Sequence, residues 1–118
     1  MLKKGQGWRL GWREDDRLYP ALIGSDTWAL ELTKAEMTDF CRLLPQLSDS
    51  MSAMTEYLMA EETISCEVET PLMWLGADGY CHHFSVRIIL HTGRGAEGYW
   101  EAKAIPELLS ALQCLKSY

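Results

Sequence analysis

The sequence lacks several features that would point directly to a class of protein. It contains no asparagine, which excludes a catalytic set of cysteine, histidine and asparagine. No two cysteines form the C-x-x-C pair that is typical of zinc and redox sites. No apolar run approaches the roughly 20 residues that span a bilayer, and no apolar signal core follows the first lysines. We therefore expect a cytoplasmic protein with no membrane association.

Positive charge is also scarce. The 118 residues carry 11 lysines and arginines against 17 aspartates and glutamates, a formal net charge of −6. Proteins that bind nucleic acid usually present a basic patch, because neutralising phosphates supplies most of their affinity. Only residues 1–17 lean basic, and the acidic excess is largest after residue 60. Nucleic acid is therefore disfavoured over the whole surface, although a local basic strip remains open.

The length and the apolar content indicate one folded unit. Hydrophobic residues make up 47% of the chain, which is enough for a packed core and argues against disorder. We expect a single domain over residues 1–118. The four cysteines each lie within an apolar pattern, so we expect four small buried side chains in a reducing compartment: Cys41, Cys66, Cys81 and Cys114.

Three short strands are predicted in the first half. Residues 8–12 and 28–32 show the period of two that is typical of a half-buried strand, and the run 18–23 is predicted as a strand between them. Pro20 places the second run at a sheet edge. The links between the runs are too short for parallel crossovers, so an antiparallel meander is predicted.

A helix is predicted directly after the third strand. Thr33 and Glu36 have the spacing of a capping box. Apolar residues then recur at gaps of three and four, from Met37 to Leu58, which defines one helix face. Pro45 lies in the middle, but the stripe keeps its phase across it. We therefore predict one kinked helix over residues 34–59 rather than two separate helices.

The second half starts the same pattern again. Four strands and a final helix are predicted, in this order: strands at 64–68, 72–75, 84–90 and 99–103, then a helix at Pro106. Asp78-Gly79 is predicted to turn a hairpin. The predicted fold class is α+β, with two curved antiparallel sheets and two helices in a pseudo-twofold repeat over about 6–60 and 63–117.

Two short motifs suggest chemistry, but neither has the structural context that its chemistry needs. Residues 93–98 match G-x-G-x-x-G, but a strand rather than a helix is predicted to follow, so a hairpin loop is expected. Cys81, His82, His83 and His91 include metal-ligand types, but neighbouring strand residues point to opposite faces. We predict no catalytic, cofactor or metal site, and hence a protein that is not an enzyme.

Five tryptophans are many for this length, and two of them lie beside arginines. Aromatic and cationic strips bind single-stranded nucleic acid by stacking and charge. The candidate strip consists of Arg9, Trp12, Arg13 and Arg17. The alternative is that the period of two places the tryptophans in the core and Arg9 and Arg13 on the solvent side.

The helix face is a second candidate surface. Met51, Met54 and Leu58 lie near its end, and methionine adapts well to a partner. We take these residues as a candidate interface for a protein partner or for a homodimer. The alternative is that the whole stripe packs against a sheet.

Several segments together resemble a cyanobacterial and plastid-lineage family, the domain-of-unknown-function family numbered 1818. They are 7–12 (GWRLGW), 22–24 (LIG), 28–33 (WALELT), 61–67 (EETISCE) and 97–100 (EGYW). The resemblance implies a fold similar to the Whirly and PUR-alpha regulators that bind single-stranded DNA. It supplies no catalytic residues, and likeness of fold alone does not establish function.

Two functions follow as expectations. The first is a non-enzymatic binding or regulatory protein that acts through a protein partner. The alternative is a regulator-like protein that binds single-stranded nucleic acid. The acidic net charge ranks the protein partner first.

Overall fold

A computed structural model describes residues 1–91 and 93–115. Eight strands and two α-helices follow one another in two similar series: β1 (Leu2–Gly5), β2 (Trp8–Trp12), β3 (Ala21–Gly24), β4 (Ala29–Leu32), α1 (Lys34–Ala53), β5 (Ile64–Glu69), β6 (Met73–Tyr80), β7 (His83–Leu90), β8 (Glu97–Trp100) and α2 (Ile105–Leu115). A short 3-10 helix follows α1 at Met54–Glu56, and another precedes α2 at Ala102–Ala104.

Each series of four strands forms an antiparallel sheet whose strand order follows the chain. The first sheet is β1-β2-β3-β4 and the second is β5-β6-β7-β8. The edge position predicted from Pro20 was wrong, because β3 starts after this proline and pairs with both β2 and β4. The predicted α+β class with two antiparallel sheets and two helices is confirmed. The prediction missed β1, because a four-residue strand with two lysines shows no hydrophobic alternation. It forms because β2 offers it a complete ladder, from Leu2 opposite Gly11 to Gly5 opposite Trp8.

Each helix contacts the sheet of the other series of strands. The helix that follows the first sheet, α1, packs on β5 and β6 of the second, whereas α2 contacts β1 and β2 of the first as well as β7. One continuous core results, with members from both sheets and both helices, among them Leu10, Phe40, Leu75, Trp100 and Leu108. A sheet with one apolar face needs such a partner layer to bury that face.

The first helix begins where the capping box predicts. The Thr33 hydroxyl accepts from the Glu36 amide at 3.1 Å, and Glu36 accepts from the Thr33 amide at 2.8 Å. Pro45 lies within α1 and does not divide it. The helix ends at Ala53 rather than at residue 59, because the chain tightens into the 3-10 turn at Met54–Glu56.

Two boundaries in the second half differ from the prediction. Asp78 and Gly79 lie inside β6, and the chain reverses between the closing pair Tyr80 and His83. The Asp-Gly turn signal was therefore wrong, since here Gly79 takes its positive φ of 145° within a strand. The last strand is Glu97–Trp100 rather than 99–103, because the 3-10 turn begins at Ala102.

Burial corrects the expectation for the cysteines. Three of them are half-buried and Cys114 is exposed, so none belongs to the fully buried core: Cys41, Cys66 and Cys81 are the half-buried ones. Among the residues described, neither α1 nor α2 is both long and apolar enough to cross a lipid bilayer.

Candidate binding face on the second sheet

The two sheets are joined by a reciprocal pair of tryptophans. The Trp28 indole donates to the Tyr99 carbonyl at 2.8 Å, and the Trp100 indole donates to the Gly24 carbonyl at 2.8 Å. The two rings lie 4.8 Å apart between centroids. A Cβ at Gly98 would lie 2.3 Å from the Trp28 ring, so only glycine lets this ring reach β8. These contacts fix β8 and so position Tyr99, whose side chain is exposed.

The outer side of the second sheet, facing away from α1, carries a groove of about 420 Å³. Its polar and aromatic lining comes from all four strands: Ser65, Glu67, Trp74, Asp78, Ser85, Arg87 and Tyr99. The strand register places Arg87 between Gly76 and Tyr99, with Glu67 beyond Gly76. We call this set of seven residues the open face.

Trp74 forms the apolar wall of the groove. A Cβ at Gly76 would lie 2.2 Å from the Trp74 ring, so the missing side chain lets the indole lie across the sheet. The indole nitrogen donates to a Glu67 carboxylate oxygen at 3.1 Å. The ring is half-buried, so part of its surface remains accessible.

The open face is acidic. Among its seven residues, two are anionic, Glu67 and Asp78, and one is cationic, Arg87. Glu69 and Glu97 add negative charge at the end of the same sheet face. The Ser65 hydroxyl donates to the Asp78 carboxylate at 2.8 Å, which orients that carboxylate. Such a face attracts cationic groups and repels phosphate.

His91 lies at the rim of this face. Its Nε2 is 2.7 Å from the Glu69 carboxylate. The other residues of the histidine motif are dispersed: His82 contacts the Thr55 hydroxyl at 3.3 Å, and Cys81 lies in the turn before β7. No group of three metal-ligating side chains occurs among residues 1–91 and 93–115.

The candidate nucleic-acid strip is divided by the fold. Arg9 donates to the Ser25 carbonyl at 2.7 Å and to the Trp28 carbonyl at 2.8 Å, so its guanidinium stabilises a turn. Trp12 is half-buried and packs against the core, on the opposite side of β2. Arg13 and Arg17 are exposed. Of the four strip residues, these two arginines present charge to solvent.

Trp12 and Arg13 also line a cavity of about 970 Å³ beside α1. Met37 and Leu115 contribute to its apolar lining, and its charged lining has both signs: Arg42 and Lys34, and Glu14 and Asp15. The cavity reaches Leu115, the last residue that the structure describes.

One of the three residues of the candidate helix interface belongs to the buried core. Met51 has no exposed surface, so it cannot contact a partner, and its assignment to an interface was wrong. Met54 and Leu58 are half-buried. At Met51 the alternative is therefore correct, namely that the apolar stripe packs against a sheet, because α1 packs on β5 and β6.

The glycine-rich segment joins two antiparallel strands, β7 and β8, as the hairpin prediction expects. Its Arg94 is a key residue that the sequence did not reveal. The Arg94 Nε lies 3.0 Å from a carboxylate oxygen of Glu36, which is 3% exposed. The guanidinium also donates to the Glu31 carbonyl and stacks 4.7 Å from the Tyr19 ring centre.

The open face could be only partly derived from the sequence. The alternation in 64–69 and in 83–90 places Glu67 and Arg87 on the solvent side of their strands. The register that brings Arg87 beside Tyr99 joins residues 12 apart across a loop, and no local pattern specifies it.

The fold and this face define an α+β protein of two crossed sheet-and-helix units with an open sheet surface. The chain belongs to the family described as Domain of unknown function (DUF1818), whose model matches residues 3–115. The family resemblance in the sequence is thus confirmed.

A solved structure shares the whole fold. A protein with unknown function, described as from the DUF155 family of Prochlorococcus sp. NATL2A, is 29% identical and has a TM-score of 0.90. The match covers 98% of each chain. No curated protein matches the chain.

Proposed function

We propose that the chain is a non-enzymatic binding protein that acts through a protein partner, and that the open face of the second sheet is its binding surface. The observation that carries the proposal is the groove in which Trp74 and Tyr99 flank a polar floor. Exposed aromatic side chains beside polar groups are enriched at protein interfaces. The family and the Prochlorococcus relative are both described as of unknown function, so the proposal rests on this geometry.

The runner-up is a protein that binds single-stranded nucleic acid. Exposed Arg13 and Arg17 support it, together with the predicted likeness to the Whirly and PUR-alpha regulators. The acidic open face opposes it, because phosphate would meet Glu67 and Asp78 there. The protein partner therefore ranks first. A cytoplasmic location and a cyanobacterial origin belong to the same proposal, and the organism of the solved relative supports the second.

Site-specific photo-crosslinking tests the binding surface. A benzophenone amino acid replaces Tyr99, which is exposed in the groove, and the chain is irradiated inside the cells that make it. We expect one discrete crosslinked protein, and we expect Trp74→Ala to remove it because the variant removes the groove wall.

The matched control carries the same crosslinker at Ser110, an exposed position of α2. The proposal fails if both positions give the same products, or if neither gives a protein product. A crosslink to nucleic acid at Tyr99 would favour the runner-up. A crosslink to a second copy of the chain would mean that the open face forms a homodimer rather than binding a different protein.

A further inference from the structure

The edge strand β5 offers unpaired backbone groups. It is the first strand of the second sheet and, among the residues that the structure describes, pairs only with β6, from Ile64 opposite Gly79 to Glu69 opposite Trp74. In such a ladder, alternate residues direct their N–H and C=O groups away from the partner strand. Within residues 1–91 and 93–115, no hydrogen bond is made by these outward backbone groups of β5. An extended segment can pair with them directly.

The inner side of β5 is incompletely covered. The same helix, α1, packs on β5 and β6. The inward residues of β6 are fully buried, whereas those of β5 are only half-buried: Met73, Leu75 and Ala77 on β6, and Ile64, Cys66 and Val68 on β5. A further strand beside β5 would therefore find apolar surface on its helix side.

The outer side of β5 is acidic. Glu67 and Glu69 alternate with the apolar inner residues and are exposed, and Glu61 and Glu62 are exposed just before the strand. A second copy of β5 would bring carboxylates against carboxylates, and like charges across a ladder are destabilising. A strand with basic residues on this side would instead form opposite-charge pairs with Glu67 and Glu69.

We propose that the partner contributes an extended segment of alternating basic and apolar residues, which adds to β5 as a fifth strand of the second sheet. The basic side chains meet Glu67 and Glu69, and the apolar side chains cover Ile64, Cys66 and Val68. This inference rests on the proposed function and names the chemistry of the partner. Backbone hydrogen bonds to β5 provide the affinity, and the alternation of basic and apolar side chains in the partner segment provides the specificity.

The test is a titration of the ¹⁵N-labelled chain with an acetylated, amidated peptide of seven alternating lysines and valines, followed by NMR at low salt. We expect saturable shifts of the amides in 64–69. The variant Glu67→Lys/Glu69→Lys should weaken binding about tenfold, since it replaces two attractive cross-strand pairs by repulsive ones. Glu67→Gln/Glu69→Gln removes the charge but keeps one acceptor oxygen on each residue, so it should weaken binding by a smaller factor.

Two controls separate pairing from general charge attraction. A peptide N-methylated at every internal residue keeps every charge but has no amide donor on either edge, so it cannot complete the ladder and should not bind. Asp26→Lys reverses an exposed carboxylate in the turn before β4, in the other sheet, and should leave the affinity unchanged. Unchanged urea midpoints of all three variants establish that they are folded.

Three results would overturn the inference: equal binding of the N-methylated peptide, equal weakening by Asp26→Lys, or shifts that map outside β5. A concentration-dependent dimer that Glu67→Lys/Glu69→Lys dissociates would also overturn it, because the edge would then bind a second copy. If the peptide fails to bind while Tyr99 still crosslinks a protein, the strand addition is wrong and the binding protein stands.

Discussion

At the scale of single residues, one buried carboxylate organises the start of α1. One oxygen of Glu36 accepts from the Thr33 amide, and the other accepts from Arg94. Burying a charge is costly unless it is paired and hydrogen-bonded, and here each oxygen has a donor. Arg94 lies in the loop before β8, so this ion pair also fastens the second sheet to the helix that follows the first.

Arg94→Leu removes the cationic partner and leaves Glu36 buried with only its capping bond. We expect a loss of about 3 kcal/mol in the free energy of unfolding, as for other buried pairs broken on one side. Urea denaturation followed by tryptophan fluorescence measures it. Arg87→Leu is the control, because Arg87 is exposed and should change stability by less than about 0.5 kcal/mol. Equal losses in the two variants would contradict the account.

At the scale of elements, α1 shows how tertiary packing overrides local preference. Pro45 lies inside a 20-residue helix, although a proline removes one backbone hydrogen bond and crowds the preceding turn. The helix continues because Phe40, Leu44 and Leu47 are buried against the second sheet on either side of it. The sequence made this predictable, since the apolar stripe keeps its phase through Pro45.

Pro45→Ala tests this interpretation of α1. Alanine restores the missing amide donor and has the highest helix propensity, so we expect a gain of about 1 kcal/mol in unfolding free energy. The full difference in propensity is not expected, because the surrounding backbone has already adapted to proline. Urea midpoints of the two chains give the difference. A clear destabilisation would mean that the proline geometry is needed for packing.

The pair Trp28 and Trp100 connects the two sheets, so Trp100 should matter more for stability than Trp74, which is not part of this pair. Trp100 is fully buried and satisfies the Gly24 carbonyl, whereas Trp74 is half-buried and its indole bonds an exposed glutamate. Trp100→Phe should cost about 2 kcal/mol, from lost packing and an unpaired carbonyl. Trp74→Phe should cost less than about 0.5 kcal/mol, since water can replace its bond. Chemical denaturation of both variants provides the comparison, and a reversed order would contradict the assigned roles.

At the scale of the whole molecule, the sequence predicted what depends on local periodicity. The capping box at Thr33, the alternation of β5 and β7 and the helix with Pro106 in its first turn all follow from neighbouring residues. What it missed depends on distant partners. The strand β1 forms through its pairing with β2. Arg94 is structurally important because it contacts Glu36, which is 58 positions away in the sequence. The position of the turn between Tyr80 and His83 follows from the register of β6 and β7.

Charge is also arranged at this scale. The exposed basic residues Arg13 and Arg17 lie in the loop between β2 and β3 of the first sheet, while Glu67, Asp78 and Glu97 lie on the outer side of the second. A cationic partner would therefore approach the second sheet, and salt should slow its association by screening this attraction. The same arrangement separates the two candidate functions by location, because nucleic acid would have to bind at the first sheet.

Hydrogen–deuterium exchange of the chain, alone and with its crosslink-identified partner, tests the central claim most directly. The claim is that the open face and the free edge of the second sheet form the binding surface. We predict fast exchange of the outward amides of 64–69 in the free chain and marked slowing when the partner is bound. Slowing confined to residues 8–17, with 64–69 unchanged, would contradict the account and locate binding at the first sheet.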